Sequence, residues 1–296
     1  MSQPSSTPSA EPWTIRRVLE WTTGHLQKHG SETPRLEAEI LLAHARKCKR
    51  IELYTNYDLE LSDVVRATMR DLVNRRAKRE PVAYLVGYRE FFSLVFRVTA
   101  DVLIPRPETE TLVMEALAVA KPLPAPAVLD LCTGSGCVAI AIAKNCPAAT
   151  VTATDISPAA LTIAAENATK HKVSERVSFL EGDLFAPLAA DQRFGVIVSN
   201  PPYIPTADIA TLHTDVQQYE PRLALDGGSD GLDLVRRILV DARSHLKPGG
   251  WLMLEFTPEQ AATIQVLATE HGYADAAIVK DTAHEPRFLR ARLHPC

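Results

Sequence analysis

The sequence predicts an α/β fold in which a seven-stranded, mostly parallel sheet follows a small all-helical domain, the two joined by a β-hairpin. Three observations predict it. From Ala127 onward, short apolar runs alternate with helical patterns. From Trp13 to about Glu80, apolar residues recur at steps of three and four with no β-type alternation. Between them, Tyr84 to Ile104 holds two β-type segments flanked by prolines.

In chain order, Ile15, Val18, Leu19, Thr22 and Leu26 share one helix face, and Leu36, Ile40 and Ala43 continue it in a second helix. A further helix from about Asp63 carries Val65, Met69, Leu72 and Val73 on one side, with Arg66, Arg70, Arg75, Arg76, Lys78 and Arg79 largely on the others. Those cations read as a solvated face, or else as a docking surface for an acidic or ribosome-bound partner. Pro81 ends the helix. Tyr84 to Tyr88 and Leu94 to Val98 are then expected to pair as a hairpin, and the stiff segment Ile104 to Glu110 leads into a helix over 111–120.

The strand Val128 to Leu131, the turn Cys132-Thr133-Gly134-Ser135-Gly136, the helix Cys137 to Lys144 and the strand Thr150 to Asp155 form a βαβ unit, hence a parallel pair. A helix over 159–170, a third strand over 177–180 and a fourth over 196–199 follow. After a helix over 231–246 and a turn at Lys247-Pro248-Gly249-Gly250 comes a fifth strand over 251–256. Segments 276–279 and 288–293 lack a long helix between them, which points to an antiparallel edge. The expected division is a disordered tail over 1–12, a helical substrate-docking domain over 13–81, a hairpin linker over 82–106 and the sheet domain over 107–296.

At 296 residues, 46% hydrophobic and with net charge -4, the chain has room for one large and one small domain and shows no global nucleic-acid or membrane signature. The Ser/Pro-rich start has no basic segment before an apolar core, and no apolar run reaches the roughly 18 residues a membrane helix needs. Five cysteines with no C-x-x-C pair argue against a disulfide framework or zinc site, and a reducing cytoplasm and a monomer are expected.

The glycine turn allows close approach of a ligand to backbone, and Asp155, 21 residues beyond Gly134, ends the second strand where an acid can bind two ribose hydroxyls. Nicotinamide, flavin and adenosyl cofactors all use that geometry, but the turn is not G-x-G-x-x-G and no Walker lysine follows it. Asp183, beside Leu184, either meets an adenine amino group or caps a turn. Asp130 either orients the glycine turn or is simply a strand-end carboxylate.

Asn200-Pro201-Pro202-Tyr203 follows the fourth strand, and its prolines end that strand in a rigid corner. It is either a strand-terminating turn or, with an adenosyl sulfonium donor, a site for methylating a planar nitrogen. The Asn200 side-chain oxygen and the Pro201 carbonyl would accept both N–H groups of an amide and hold it for in-line attack. These oxygens and the face of Tyr203 would stabilise positive charge growing on that nitrogen.

Four motifs together, Arg89-Glu90-Phe91-Phe92, Leu103 to Glu110, Leu129 to Gly136 and Asn200 to Tyr203, resemble the class I methyltransferases of the PrmC/HemK family, which modify glutamine in peptide chain release factors. The resemblance runs from Trp13 onward. It implies a Rossmann-like methyltransferase domain and transfer of methyl from S-adenosyl-L-methionine to the N5 amide nitrogen of the glutamine in a Gly-Gly-Gln motif. It also implies a cofactor loop at Cys132, Thr133, Gly134, Ser135 and Gly136, a ribose acid at Asp155, adenine-side contacts at Asp183 and Leu184, and Asn200 beside the donor. The glutamine site falls on Asn200, Pro201, Pro202 and Tyr203, with Phe91, Arg106 and Glu110 shaping it. Cys132 stands where the family has a glycine, as in sister enzymes that methylate glutamine in a large-subunit ribosomal protein. Phe256-Thr257 replaces the usual I-G. A ribosomal-protein substrate, a nucleic-acid amine substrate and a non-catalytic adenosyl-binding role stay open at this point.

Overall fold

The computed structural model describes residues 12–294, so the tail read in 1–12 lies, apart from Pro12, outside the described residues. The chain divides into two compact units, one ending at Val86 and one beginning at Gly87.

The first unit is helical: α1 (Ile15–Lys28), α2 (Pro34–Arg46), α3 (Ile51–Tyr54), α4 (Asp63–Ala77) and α5 (Val82–Val86). Thr14 and Ser62 cap α1 and α4, each accepting a backbone N–H of the first turn, and Pro34 opens α2 where no donor is needed. Ile15, Leu19, Leu26, Leu41, Leu42, Leu53 and Leu72 fill a single core. Arg76 is not on a solvated face as the charge pattern suggested. It is buried, and its guanidinium donates to both Glu37 oxygens at 2.9 Å, so the pair is held in register and each charge is compensated.

The segment 84–88 also corrects the sequence reading. A short apolar run cannot be assigned to strand or helix by period alone. Pro81 starts a helical turn whose carbonyl accepts from Tyr84 and Leu85, and Gly87, at φ 81°, ends it. The hairpin does form, displaced along the chain: β1 (Tyr88–Phe91) pairs antiparallel with β2 (Leu94–Arg97) across Phe92 and Ser93, both at positive φ as a tight hairpin turn requires.

In the second unit α6 (Thr109–Ala120) precedes β3 (Ala127–Leu131), α7 (Cys137–Asn145), β4 (Thr150–Asp155), α8 (Pro158–His171), β5 (Val177–Glu181) and β6 (Phe194–Ser199). The chain continues through α9 (Thr214–Tyr219), α10 (Asp233–His245), β7 (Leu246–Glu255), α11 (Ala261–Glu270), β8 (Tyr273–Lys280) and β9 (Pro286–Leu293). The short α9 and the longer α11 had no counterpart in the sequence reading. The seven-stranded sheet has the order β5-β4-β3-β6-β7-β9-β8, with β9 antiparallel to both β7 and β8. The turn expected at 247–250 lies inside β7, where the register slips from Phe194 opposite Leu246 to Val196 opposite Trp251. One apolar layer, with Leu112, Val138 and Ile140, covers one face of the sheet; another, with Ile238, Leu239 and Ile264, covers the other.

β3 runs to its neighbour β4 on one side and lies against β6 on the other, so the strand order reverses between β3 and β6. In open α/β sheets a crevice opens beyond the strands' C-terminal ends at such a point.

Candidate active site

A cavity of about 460 Å³ occupies that crevice, within the usual range for small-molecule sites. Its wall includes Cys132 to Ser135 after β3, Asp155 at the end of β4, Asp183 and Leu184 after β5, and Asn200 and Pro202 after β6. Arg106 and Thr109 close it from the start of α6.

The glycine turn is held from below by two carboxylates. Asp130 accepts the Thr133 hydroxyl at 2.6 Å and the Ala139 N–H at 3.2 Å, so of its two sequence readings the turn-orienting one is what the structure has. Burial pushes the Asp130 carboxyl up to about 7 against the pull of those two hydrogen bonds. Asp155 accepts the Gly134 N–H at 2.8 Å through one oxygen and the Ser157 N–H at 2.9 Å through the other. Burial raises its pKa, and the backbone donors oppose that rise. Gly136, at φ 77°, lies beneath the turn outside the cavity wall, where a Cβ would come within 3.0 Å of Ala164 and Ile140. Cys132 adopts φ 57°, a backbone region that favours glycine, while burial and Asp155 hold its thiol protonated.

On the other side of the crevice, Asn200 directs its side-chain Nδ2 to Thr109 Oγ1 at 3.3 Å. Thr109 donates to Glu255 Oε2 at 2.8 Å, and the Tyr203 hydroxyl donates to Glu255 Oε1 at 3.2 Å. Burial pushes the Glu255 carboxyl up to about 7, against the hydrogen bonds from Thr109 and Tyr203 and the charge of Arg287. Gly227, also at the cavity wall, packs closely on the corner, where a Cβ would be 2.7 Å from the Pro202 carbonyl oxygen. Gln260 Nε2 also donates to the Tyr203 carbonyl at 2.9 Å.

The site residues named from sequence therefore fall in two groups. Cys132, Thr133, Gly134, Ser135, Asp155, Asp183, Leu184, Asn200, Pro202 and Arg106 wall one cavity. Pro201, Tyr203, Phe91, Glu110 and Gly136 stand outside its wall. Phe91 is buried in the apolar layer, 6.0 Å from the Phe96 ring, and Glu110 accepts the Phe92 N–H at 2.8 Å, so both brace the hairpin. Arg106 pairs at 2.5 Å with Glu220, a residue absent from the sequence reading, and Asp183 pairs with Arg237 at 2.7 Å. Thr109 and Glu255 were present in the quoted stretches without a role. The one available signal for Glu255 was a carboxylate ending the apolar run Leu252-Met253-Leu254.

The donor set fits an adenosyl group. Ser135 Oγ and Thr154 Oγ1 are buried at the cavity wall with no hydrogen-bond partner, and a side chain on Gly134 would meet nothing within 4 Å. The wall thus offers unsatisfied polar atoms and an open cradle over the turn, with a strand-end carboxylate beside them.

Two family models match this chain, the PrmC N-terminal domain over residues 17–87 and the methyltransferase small domain over residues 109–274. It is 49% identical to the release factor glutamine methyltransferase of Rhodopirellula baltica, over 96% of this chain and 98% of that one. To the release factor glutamine methyltransferase of Geobacter sulfurreducens it is also 49% identical, over 97% of this chain and 99% of that one. Among solved structures, a methyltransferase from Pyrococcus furiosus shares the fold at TM-score 0.54 and 18% identity, over 75% of this chain and 98% of that one. With near-full-length identity of this order and both family models matched in sequence order, the chain belongs to the release factor glutamine methyltransferase family.

Proposed function

We propose that this chain transfers a methyl group from S-adenosyl-L-methionine to the N5 amide nitrogen of the glutamine in a Gly-Gly-Gln motif of a peptide chain release factor. The observation that carries the reading is that Asn200 and the Cys132 to Ser135 turn wall the same cavity, together with Asp155. When bound, the cofactor supplies an electrophilic sulfonium methyl. Asp155 holds the ribose hydroxyls through lone pairs not used by Gly134 and Ser157, and Asp183 and Leu184 border the adenine. The Asn200 side-chain oxygen and the Pro201 carbonyl accept the two N–H bonds of the glutamine amide, which fixes its plane and aims its nitrogen. Positive charge grows on that nitrogen as the N–C bond forms and the S–C bond breaks with its electron pair going to sulfur. The same oxygens stabilise that charge more than the neutral amide, and the methylated nitrogen then gives up one N–H proton to solvent. Tyr203, tied to Glu255, acts by fixing the corner rather than from the cavity wall. Residues 13–81 dock the protein substrate, and the methyltransferase chemistry is confined to residues from 107 onward.

Mass spectrometry of the Gly-Gly-Gln peptide after incubation of purified release factor with labelled cofactor tests this. An increment of one methylene, raised by the isotope the cofactor carries, is expected on the glutamine. Preferential labelling of a large-subunit ribosomal protein, or of DNA or RNA, would overturn the substrate assignment, and binding without turnover would overturn the activity.

A further inference from the structure

Ser199 and Leu254 are register partners on the parallel strands β6 and β7, so Asn200, just after β6, and Glu255, the last residue of β7, lie at the same level. Thr109, at the first position of α6, stands between their side chains. A threonine hydroxyl has a single hydrogen, and with Glu255 ionised it is committed to Glu255 Oε2 at 2.8 Å. Toward Asn200 the same oxygen can therefore only accept, which selects the Asn200 amide nitrogen, at 3.3 Å, as the group that faces it. The Asn200 oxygen is thereby turned the other way, and it makes no hydrogen bond among the described residues.

We propose that Thr109 and Glu255 are positioning residues that fix the orientation of the Asn200 carboxamide, so that its oxygen and not its NH₂ group is presented to the incoming amide. The inference rests on the reading of Asn200 as the residue that holds the acceptor. The physical need is direct. A flipped Asn200 would set two N–H donors against the N–H donors of the glutamine, which repels the substrate and removes the acceptor that stabilises the growing charge. An asparagine has no intrinsic preference between the two orientations, so a neighbour has to supply it. Glu255 is 1% exposed and Thr109 2%, which keeps water from substituting for either partner. The second Glu255 oxygen receives the Tyr203 hydroxyl, so one carboxylate restrains both ends of the Asn200 to Tyr203 corner.

The test compares Thr109→Val, Thr109→Ser and Asn200→Ala, singly and combined, in the full chain with purified release factor as methyl acceptor. Thr109→Val, nearly isosteric, should lower kcat by on the order of 10- to 100-fold, the scale of a mispositioned reacting group. Cofactor affinity by calorimetry should stay near wild type, while the thermal midpoint should fall by a few degrees because the buried Glu255 loses a donor. Thr109→Ser, which keeps the hydroxyl, should restore kcat. In an Asn200→Ala background Thr109→Val should cost nothing further, because the amide it orients is gone. A Thr109→Val chain with unchanged kcat, or one whose loss persists undiminished in the Asn200→Ala background, overturns the proposal. Where Val does not fold, Thr109→Ala removes the same oxygen without a branched side chain. If Asn200→Ala itself retains turnover, the reading of Asn200 fails; if Asn200→Ala is impaired while Thr109→Val is not, only the positioning role fails.

Discussion

Asp155 accepts the backbone N–H of Gly134 at 2.8 Å, so the carboxylate that would hold the cofactor's ribose also fixes the turn over which the cofactor would lie. Loss of the side chain removes a ligand contact and frees the turn together. Asp155→Ala should weaken S-adenosylmethionine binding by on the order of 10- to 100-fold, since a charge-assisted hydrogen bond contributes about 1.5–3 kcal/mol. Turnover at saturating cofactor should fall much less. Calorimetric titration beside steady-state kinetics checks this, and unchanged affinity would remove Asp155 from the cofactor site.

Asn200→Ala should show the opposite balance. Its oxygen is used at the acceptor nitrogen, where charge develops, so kcat should drop by roughly 10²- to 10³-fold, as for loss of one transition-state hydrogen-bonding group. Cofactor affinity should change little. Equal losses in both quantities would make Asn200 a cofactor residue instead.

Gly231 and Gly24 should respond to alanine with opposite signs. A Cβ on Gly231, at φ 76°, would lie 2.2 Å from the Tyr203 carbonyl oxygen, and backbone cannot yield as a flexible side chain can. Gly231→Ala should therefore destabilise by more than about 1 kcal/mol and lower turnover through the displaced corner. Gly24 lies inside α1 with nothing within 4 Å of its added Cβ, and Gly24→Ala should stabilise by about 0.5–1 kcal/mol. Chemical denaturation of both variants measures the contrast.

The buried carboxyls Asp130 and Glu255 make stability depend on pH in a defined direction. Both have folded-state pKa values raised to about 7 by burial, above their unfolded values. Between roughly pH 4 and 7 the folded chain retains protons that the unfolded chain has released. Their contribution is full below the unfolded values and is lost as pH rises through about 7. Asp130→Asn should flatten the wild-type decline in this window. Urea midpoints for wild type and variant at pH 5, 6, 7 and 8 give the comparison, and parallel curves would show that Asp130 ionises in the folded state at its ordinary value.

The centre of the sheet was legible because β3, β6 and the second half of β7 are buried on both faces and read as short apolar runs. The bounds of β4, Thr150 to Asp155, coincide with the sequence reading, and the antiparallel end of the sheet followed from the missing helix between its last two strands. Residues 84–87 were misread because a short apolar run fits either period; the discriminating signals were Pro81 before it and the positive φ of Gly87. Arg76 was misread because its partner Glu37 is 39 residues away, beyond any local charge pattern.

The sequence by itself determined the layered α/β architecture, the glycine turn, the strand-end acid at Asp155 and the proline-bounded corner at Asn200. All of these are local patterns, written within a few residues by the backbone limits of glycine and proline and by apolar period. Only the tertiary structure decided which residues share the cavity, that Tyr203 is tied to Glu255, and that Thr109 stands between Glu255 and Asn200. Those three contacts join segments 52 to 146 residues apart. The hydrogen-bond direction across them follows from one buried carboxylate and one hydroxyl hydrogen, which only strand register and helix packing could bring together.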